Sequence, residues 1–136
     1  MATIPESFHD LFERETFAVF GTLMPAGTPQ LTPVWIDRES VDGEDRVLVN
    51  TARGRQKERN VTSDPKVGVC VMDPDDPYRY VSVRGEVTEV TEDGAVEHID
   101  RLARRYMDVE EYPHHGEESG PRVVIRIRPD RVTTSG

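Results

Sequence analysis

The sequence has almost no lysine. Lys57 and Lys66 are the only two, although arginine is common. Acid outweighs base, with 26 Asp and Glu against 17 Lys and Arg and a formal net charge of -9. That balance argues against duplex DNA or RNA as a partner, because affinity there comes mainly from cations that neutralise phosphates. It argues equally against an anionic membrane surface. An acidic, lysine-poor surface suits a high-salt interior, where abundant carboxylates keep a protein hydrated. A halophilic source is therefore expected.

Cysteine is nearly missing too. Cys70 stands alone, which excludes a disulfide framework and a thiolate metal cluster. Its neighbours Val69 and Val71 mark it as a buried structural thiol, with nothing beside it to make a reactive thiolate. No apolar run has the length of a signal peptide or a membrane-spanning helix, so a cytoplasmic location is expected. No Ser-His-Asp or Cys-His set is visible, and nucleophilic catalysis has no candidate. Internal repeats and low-complexity segments are absent. The length of 136 residues fits one domain, residues 1–136, and a pocket large enough for a cofactor would need help from a second subunit.

What is present centres on Asn50 to Asn60. An apolar run, Val47-Leu48-Val49, reads as a strand, and a helix begins a few residues later. The strand end and the helix start carry four cations, Arg53, Arg55, Lys57 and Arg59, and the glycine Gly54. A strand end, a glycine and the free N–H groups of a helix start make an anion seat. Arg55 and Arg59 fall i,i+4 on one helix face; a guanidinium grips phosphate with a planar fork, and Lys57 adds a point charge. The plainer alternative is a solvated turn whose cations pair with nearby carboxylates.

The remaining chain reads in order. Thr3 to Glu15 is a short helix with a Thr3/Glu6 capping box and an apolar face of Ile4, Phe8, Leu11 and Phe12. Phe17 to Leu23 is a strand apolar on both faces. Gln30 to Asp37 is the next, carrying the only tryptophan, Trp35. Pro33 within it cannot donate to a ladder, so it marks an edge, a bulge or a gap facing a ligand. Asp42-Gly43 signals a hairpin into a third strand, Asp45 to Thr51.

After the helix ending near Ser63 come strands at Lys66 to Met72 and Tyr78 to Val90, joined by a rigid acidic loop. Gly85 marks a bend or close backbone approach, and a break in parity near Glu89 marks a bulge. Ala95 to Met107 is an amphipathic helix with Val96, Ile99, Ala103 and Tyr106 inward; Glu97–Arg101 and Asp100–Arg104 form i,i+4 pairs. Tyr112 to Pro121 is a polar loop, Arg122 to Arg128 a sixth strand, and Thr133 to Gly136 a loose tail. Hairpin-length connections imply antiparallel pairing. Six strands with three short helices favour a mainly β fold, a closed or partly closed antiparallel barrel.

Two clusters could pass for metal sites. His114 and His115 with Glu117 and Glu118 lie on a polar loop and read as solvated. Asp73, Asp75 and Asp76 lack the glycine and terminal glutamate of a calcium loop and read as a stiff turn. No metal is expected. His9 and His98 are placed at the surface or the core edge. Trp35 is either a core or interface anchor or a wall for a bound ring.

Several segments, taken in order, resemble a known family: Thr32-Pro33-Val34-Trp35, the Asn50–Asn60 stretch, Asp64-Pro65-Lys66-Val67, Pro77-Tyr78-Arg79-Tyr80-Val81 and Val83-Arg84-Gly85. Together they resemble the flavin/deazaflavin oxidoreductases of the FMN-binding split barrel, related to pyridoxamine 5'-phosphate oxidase, most of all the coenzyme F-420-dependent B group. The resemblance runs from about Phe17 to Val132. It implies a six-stranded split barrel and a homodimer with cofactors at the subunit interface.

It also implies roles for particular residues. Arg55 and Lys57 would hold the cofactor phosphate, with Arg59 and Asn60 in support. Thr32, Pro33, Val34, Trp35, Asn50 and Thr51 would face the ring and ribityl chain, and Tyr78 and Tyr80 would lie near the same groove. The chain lacks the C-terminal Arg- and His-containing segment with which pyridoxamine phosphate oxidase holds its substrate, which argues against vitamin B6 oxidation.

The expected function is hydride transfer between bound F-420, or alternatively FMN, and an unidentified small molecule. The cofactor would supply the chemistry, so no catalytic side chain is named. The alternative is an FMN-binding carrier or sensor, or an FMN-dependent oxidase, in the same barrel.

Overall fold

The computed structural model describes residues 2–136, so Met1, the first residue of the expected domain, lies outside the described residues. A 3₁₀ helix, Glu6–Phe12, opens the chain. The strands are β1 (Phe17–Leu23), β2 (Pro29–Trp35), β3 (Asp37–Val41), β4 (Glu44–Ala52), β5 (Lys66–Asp73), β6 (Asp76–Thr91) and β7 (Arg122–Ser135). Helix α1 (Gln56–Ser63) follows β4, and α2 (Ala95–Met107) follows β6.

The seven strands form one antiparallel sheet in the order β2-β1-β5-β6-β7-β4-β3. The expected count of six is therefore corrected. The stretch read as one strand through Trp35 breaks at the fully buried Ile36. Its first half pairs with β1 and its second with β4, at opposite edges of the sheet. One residue, Ile36, thus joins the two edges, and the sheet must curl until they almost meet. Among the described residues β2 and β3 do not pair, so the sheet is curled but not closed into a barrel.

The inner face of this curl is the core. Phe20, Val34, Val47, Val49, Val69, Val71, Val81, Val83, Ile125 and Ile127 come from six strands and form one cluster with Leu11, Phe12 and Val61. The 3₁₀ helix, shorter than the expected Thr3 to Glu15, closes one end with Phe8, Leu11 and Phe12, and Ile4 just before it is buried too, as expected. Its expected capping box does not form; the N-cap is Pro5, with no side-chain cap. The Ile4 N–H instead donates to Asp45 Oδ2 at 2.8 Å.

Local signals account for most turns. Asp42 and Gly43 both take positive φ (53° and 79°) in the β3–β4 hairpin, as an Asp-Gly primed turn requires. The register shifts between Val87 and Glu89, where the parity break fell, and again at Arg84/Gly85. A Cβ on Gly85 would lie 2.1 Å from the Arg128 carbonyl oxygen, so the close approach admits only glycine.

Four expectations fail for reasons of packing. β1 is not covered on both faces: Phe17 is 60% exposed and only Ala18, Phe20 and Thr22 point inward. Cys70 lies half-buried on the outer face of β5, where desolvation pushes its thiol pKa up. The tail is a strand, with Thr133, Thr134 and Ser135 paired to β6. Helix α2 has the expected bounds but a rotated face: Ala95, His98, Ile99, Leu102 and Ala103 are buried, and Val96 is exposed. Arg101 turns to Asp37 and Asp100 to the Tyr112 N–H, in place of the expected i,i+4 pairs.

Candidate cofactor cleft

The outer face of the curl is bare over β1 and β2 and covered by α2 over β4 and β7. Where the two regions meet, an open cleft of about 300 Å³ forms. Its lining comprises Phe17, Pro33, Val34 and Trp35 from β1 and β2, and Asn50 and Arg122 from β4 and β7. Arg55 is the N-cap of α1 and Lys57 lies in its first turn, and Ile99, Met107, Tyr112 and His114 come from α2 and the loop after it.

One side is aromatic. Trp35 stacks on Tyr106, ring centroids 4.9 Å apart and planes 12° apart. Phe17 meets Tyr106 edge-on at 5.6 Å, and Tyr112 meets Trp35 edge-on at 6.2 Å. The Tyr106 hydroxyl donates to the Thr16 carbonyl and accepts the Ile36 N–H, which ties the stack to the break between β2 and β3. Burial pushes the Tyr106 pKa up, so its hydroxyl stays a donor. The orientation of Trp35 is therefore set from behind, leaving its other face for the cleft.

The other end is cationic. The turn splits the two sequence alternatives residue by residue. Arg53 pairs with Glu92 at 2.8 Å and with Glu58 at 3.7 Å. Arg59 folds back onto the Gly54 carbonyl and Gln56 Oε1. Those two are the plain paired cations of a turn. Arg55 and Arg122 both reach Glu118, at 2.7 and 2.8 Å, and Arg122 lies over the Tyr112 ring at 5.2 Å.

Lys57 has no hydrogen-bond or ion-pair partner among the described residues, though it is half-buried. Burial, then the like charges of Arg55 and Arg122, push its pKa below the ordinary lysine value. Burial also lowers the Arg122 pKa against the opposing pull of Glu118, but a guanidinium stays charged. An unpaired ammonium beside two guanidinium groups is an electrostatic arrangement that an anion relieves.

The start of α1 is not the open seat its sequence indicates. Glu58 is buried, and its Oε1 accepts the Gly54 N–H at 2.8 Å. The chain's own carboxylate thus takes one of the donors expected for the ligand, and the cationic side chains remain.

Six of the twelve residues named from sequence line the cleft: Pro33, Val34, Trp35, Asn50, Arg55 and Lys57. Six do not. Thr32 shares the inward face of β2 with Val34 but is not part of the lining; it pairs with buried Phe20 and accepts from Gln30 at 3.0 Å. Thr51 is fully buried on the inner face, its Oγ1 without a hydrogen-bond partner among the described residues. Arg59 points away. Asn60 is buried, donating to Thr22 Oγ1 and accepting from Gln56, and so fastens α1 to β1. Tyr78 and Tyr80 lie on β6, outside the lining of the cleft.

Sequence reasoning missed Phe17, Ile99, Met107, Tyr112, His114 and Arg122. A lone tyrosine in a charged loop and an arginine opening an apolar strand were the available signals. His114 meets Glu117 at 3.2 Å, His115 meets Asp100 at 2.7 Å, and Asp73 pairs with Arg79 and Arg14. His98 is not at the surface: it is buried between Asp37 and Asn50.

The curled antiparallel sheet thus carries a cleft that is aromatic at one end and cationic at the other. The chain belongs to the pyridoxamine 5'-phosphate oxidase family, whose profile matches residues 4–136, and within it to the flavin/deazaflavin split-barrel proteins, a group of flavin-type oxidoreductases.

A solved F-420 reductase is 34% identical, with 96% of this chain and 98% of that one covered and a TM-score of 0.77. A conserved hypothetical protein from Mycobacterium tuberculosis is 26% identical, with 98% and 85% covered and a TM-score of 0.70. General Stress Protein 26 from Bacillus anthracis, at 20% identity, 96% and 92% coverage and a TM-score of 0.68, shares the fold. No curated protein matches the chain. No described helix is long and apolar enough to cross a membrane.

Proposed function

We propose that the protein is an oxidoreductase that binds coenzyme F-420 in this cleft. The phosphate end would lie against Arg55, Lys57 and Arg122, and the ring along Trp35 and Pro33. The observation that carries this is Lys57, a half-buried ammonium whose neighbours are cations and which has no acidic partner among the described residues. Folding places like charges together at a net loss, and a bound phosphate turns that loss into affinity. The likeness to an F-420 reductase over nearly the whole of both chains supports F-420 over FMN.

The bound deazaflavin would supply hydride transfer. The protein's part is to fix and shield it. The backing of Trp35 by Tyr106 presents a rigid wall, Arg122 and Asn50 fix the polar end, and the aromatic side chains keep water from the ring. An unsaturated or quinone-like small molecule is the expected partner in the reaction.

A single chain leaves the cleft open on the outer face, at the small end of the range for ligand sites. The same face carries Leu31 at 67% exposure and Tyr78 at 82%. Large apolar groups on a soluble surface favour association. A homodimer would cover them and bring Tyr78 and Tyr80 toward the cleft of the second copy.

The test is a titration of the purified protein in high salt with F-420 and FMN side by side, followed through Trp35 fluorescence. Selective F-420 binding, weakened at least tenfold by Lys57→Ala with Arg55→Ala, is the expected result. Selective FMN binding would shift the reading to a flavin carrier or oxidase. Binding of neither, or full affinity in the double variant, would overturn the phosphate assignment.

A further inference from the structure

A chain of buried polar groups runs into the cleft from the far side of α2. It begins at Asp37, the first residue of β3, which is 5% exposed. Its Oδ2 lies 3.0 Å from His98 Nε2. His98, on α2 and 4% exposed, offers Nδ1 to Asn50 Nδ2 at 3.0 Å. Asn50 Oδ1 accepts from Arg122 Nε at 2.9 Å. Arg122, on β7 and 7% exposed, ends the chain at the cationic end of the cleft. Four residues from four elements are thus joined in series.

The donors and acceptors leave one solution. Arg122 can only donate, so Asn50 must turn its oxygen toward it. The Asn50 amide nitrogen then faces the Ala95 carbonyl at 2.9 Å and His98 Nδ1. It must donate to both, so His98 Nδ1 carries a lone pair. Asp37 accepts from Arg101 Nη2, Arg105 Nη2 and the Arg38 N–H, which marks it as a carboxylate. His98 Nε2 therefore carries the proton and donates to it. A proton on Nδ1, or the opposite tautomer, would set two donors face to face at Asn50 and favour a flip of its amide. The flip would then set its NH₂ against Arg122 Nε.

We propose that His98 is a positioning residue for the anion-binding end of the cleft. It acts through Asn50 on Arg122, and it rests on the reading of the cleft as a phosphate site. Arg122 Nε is committed to Asn50 and Nη1 to Glu118, while Nη2 has no hydrogen-bond partner among the described residues. The orientation of the whole guanidinium, and so the aim of Nη2, depends on the Asn50 oxygen. The Asn50 oxygen depends on the lone pair of His98. The simpler role for a buried histidine here is to satisfy Asp37, and that role uses only the other ring nitrogen. The two roles are therefore separable.

Asn at this position can place an acceptor near the site of Nδ1, and Gln can place a donor near the site of Nε2. The experiment measures Kd for F-420 and FMN in wild type, His98→Asn and His98→Gln, with thermal unfolding of each. The proposal expects His98→Asn to bind within about threefold of wild type and His98→Gln to lose about tenfold or more (about 1.4 kcal/mol). Equal losses, or the reverse order, would overturn it in favour of the simpler role. Wild type binding neither compound would instead overturn the cofactor reading and this inference with it.

Should either variant fail to fold, nitrogen NMR of the wild-type His98 ring decides. A neutral ring protonated on Nε2, whose Nδ1 resonance moves when the cofactor binds, supports the proposal. The other tautomer, a charged ring or an unresponsive Nδ1 sinks it.

Discussion

Tyr106 lies flat against Trp35, with centroids 4.9 Å and planes 12° apart, while its hydroxyl bonds to the backbone on either side of the β1–β2 wall. The residue thus does two jobs that substitution can separate. Tyr106→Phe keeps the ring and removes the hydroxyl, leaving the Ile36 N–H and the Thr16 carbonyl short of a partner. A loss of about 1–2 kcal/mol in urea unfolding is expected, with Trp35 emission little changed. Tyr106→Ala removes the ring as well and frees Trp35. It should cost about 3 kcal/mol or more and shift the emission of the sole tryptophan to the red. Equal stability losses in the two variants would show that the stack contributes nothing.

Asp37 is the most strongly held acid in the described chain. Burial alone would push its pKa up. Hydrogen bonds from His98, Arg101 and the Arg38 N–H, with the charge of Arg105, outweigh burial and hold it far below the usual carboxylate range. The sign follows from linkage. A depressed folded pKa adds stability that is fully present above the unfolded value, near 4, and is lost as pH falls through the folded value. Wild type should therefore lose stability progressively below about pH 4, more steeply than Asp37→Asn. At pH 7 the Asn variant should be about 2–3 kcal/mol less stable, since it leaves buried donors facing a neutral amide. Urea midpoints for both proteins between pH 2.5 and 7 provide the check, and parallel curves would show that Asp37 is not the group responsible.

Much of this fold is legible in the sequence because its signals are local. Asp42-Gly43, Gly85 and the parity break near Glu89 each mark a backbone event that the structure places there. What escaped is long-range. Nothing near Ile36 announces that one strand will serve two edges, and that bend converts six strands into seven. The face of α2 was misread because His98 and Leu102 point inward, and a buried histidine is intelligible only once Asp37, 61 residues away in sequence, is known to face it.

The site divides along the same line. Pro33, Trp35, Asn50, Arg55 and Lys57 lie in segments whose character is visible locally. Arg122 and Tyr112 join them through pairing of β7 with β4 and through the loop after α2. The family resemblance implies a supporting role at the phosphate for Asn60, yet its amide faces β1. A sequence run gives the neighbours of a residue, and the 3.6-residue period of a helix decides which way each one points.

Lys57 should trade stability against binding. Its pKa is lowered by burial and by Arg55 and Arg122, so its charge destabilises the cofactor-free fold. For a lysine with a depressed folded pKa, the unfolded chain binds more protons in the window between the folded value and the ordinary value near 10.4, and stability rises with pH across it. Lys57→Met keeps the stem and removes the charge. Partial exposure limits the gain, and a rise in Tm of roughly 1–3 °C without cofactor is expected, together with loss of the alkaline rise. Affinity for F-420 should fall at least tenfold in the same variant. A variant that gains no stability would remove the electrostatic argument for an anion at this place.

Leu31 tests whether the cleft is complete in one chain. It is 67% exposed on the outer face of β2, opposite Gly21, and Gly21 pairs in turn with Gly68 on β5. Two glycines side by side leave a shallow trough flanked by Leu31 and Arg84, and Leu31 does not line the cleft. A second copy packed on this trough would bury Leu31, and Leu31→Arg would place an unpaired charge there, at about 2 kcal/mol or more. Sedimentation equilibrium should find wild type at twice the 15.4 kDa of one chain and Leu31→Arg at the single mass. F-420 affinity should fall when dimerisation is lost, although no lining residue has changed. A monomeric wild type would remove the dimer from this account. A monomeric variant with undiminished affinity would show that one chain holds the cofactor alone, and that Tyr78 and Tyr80 take no part from across an interface.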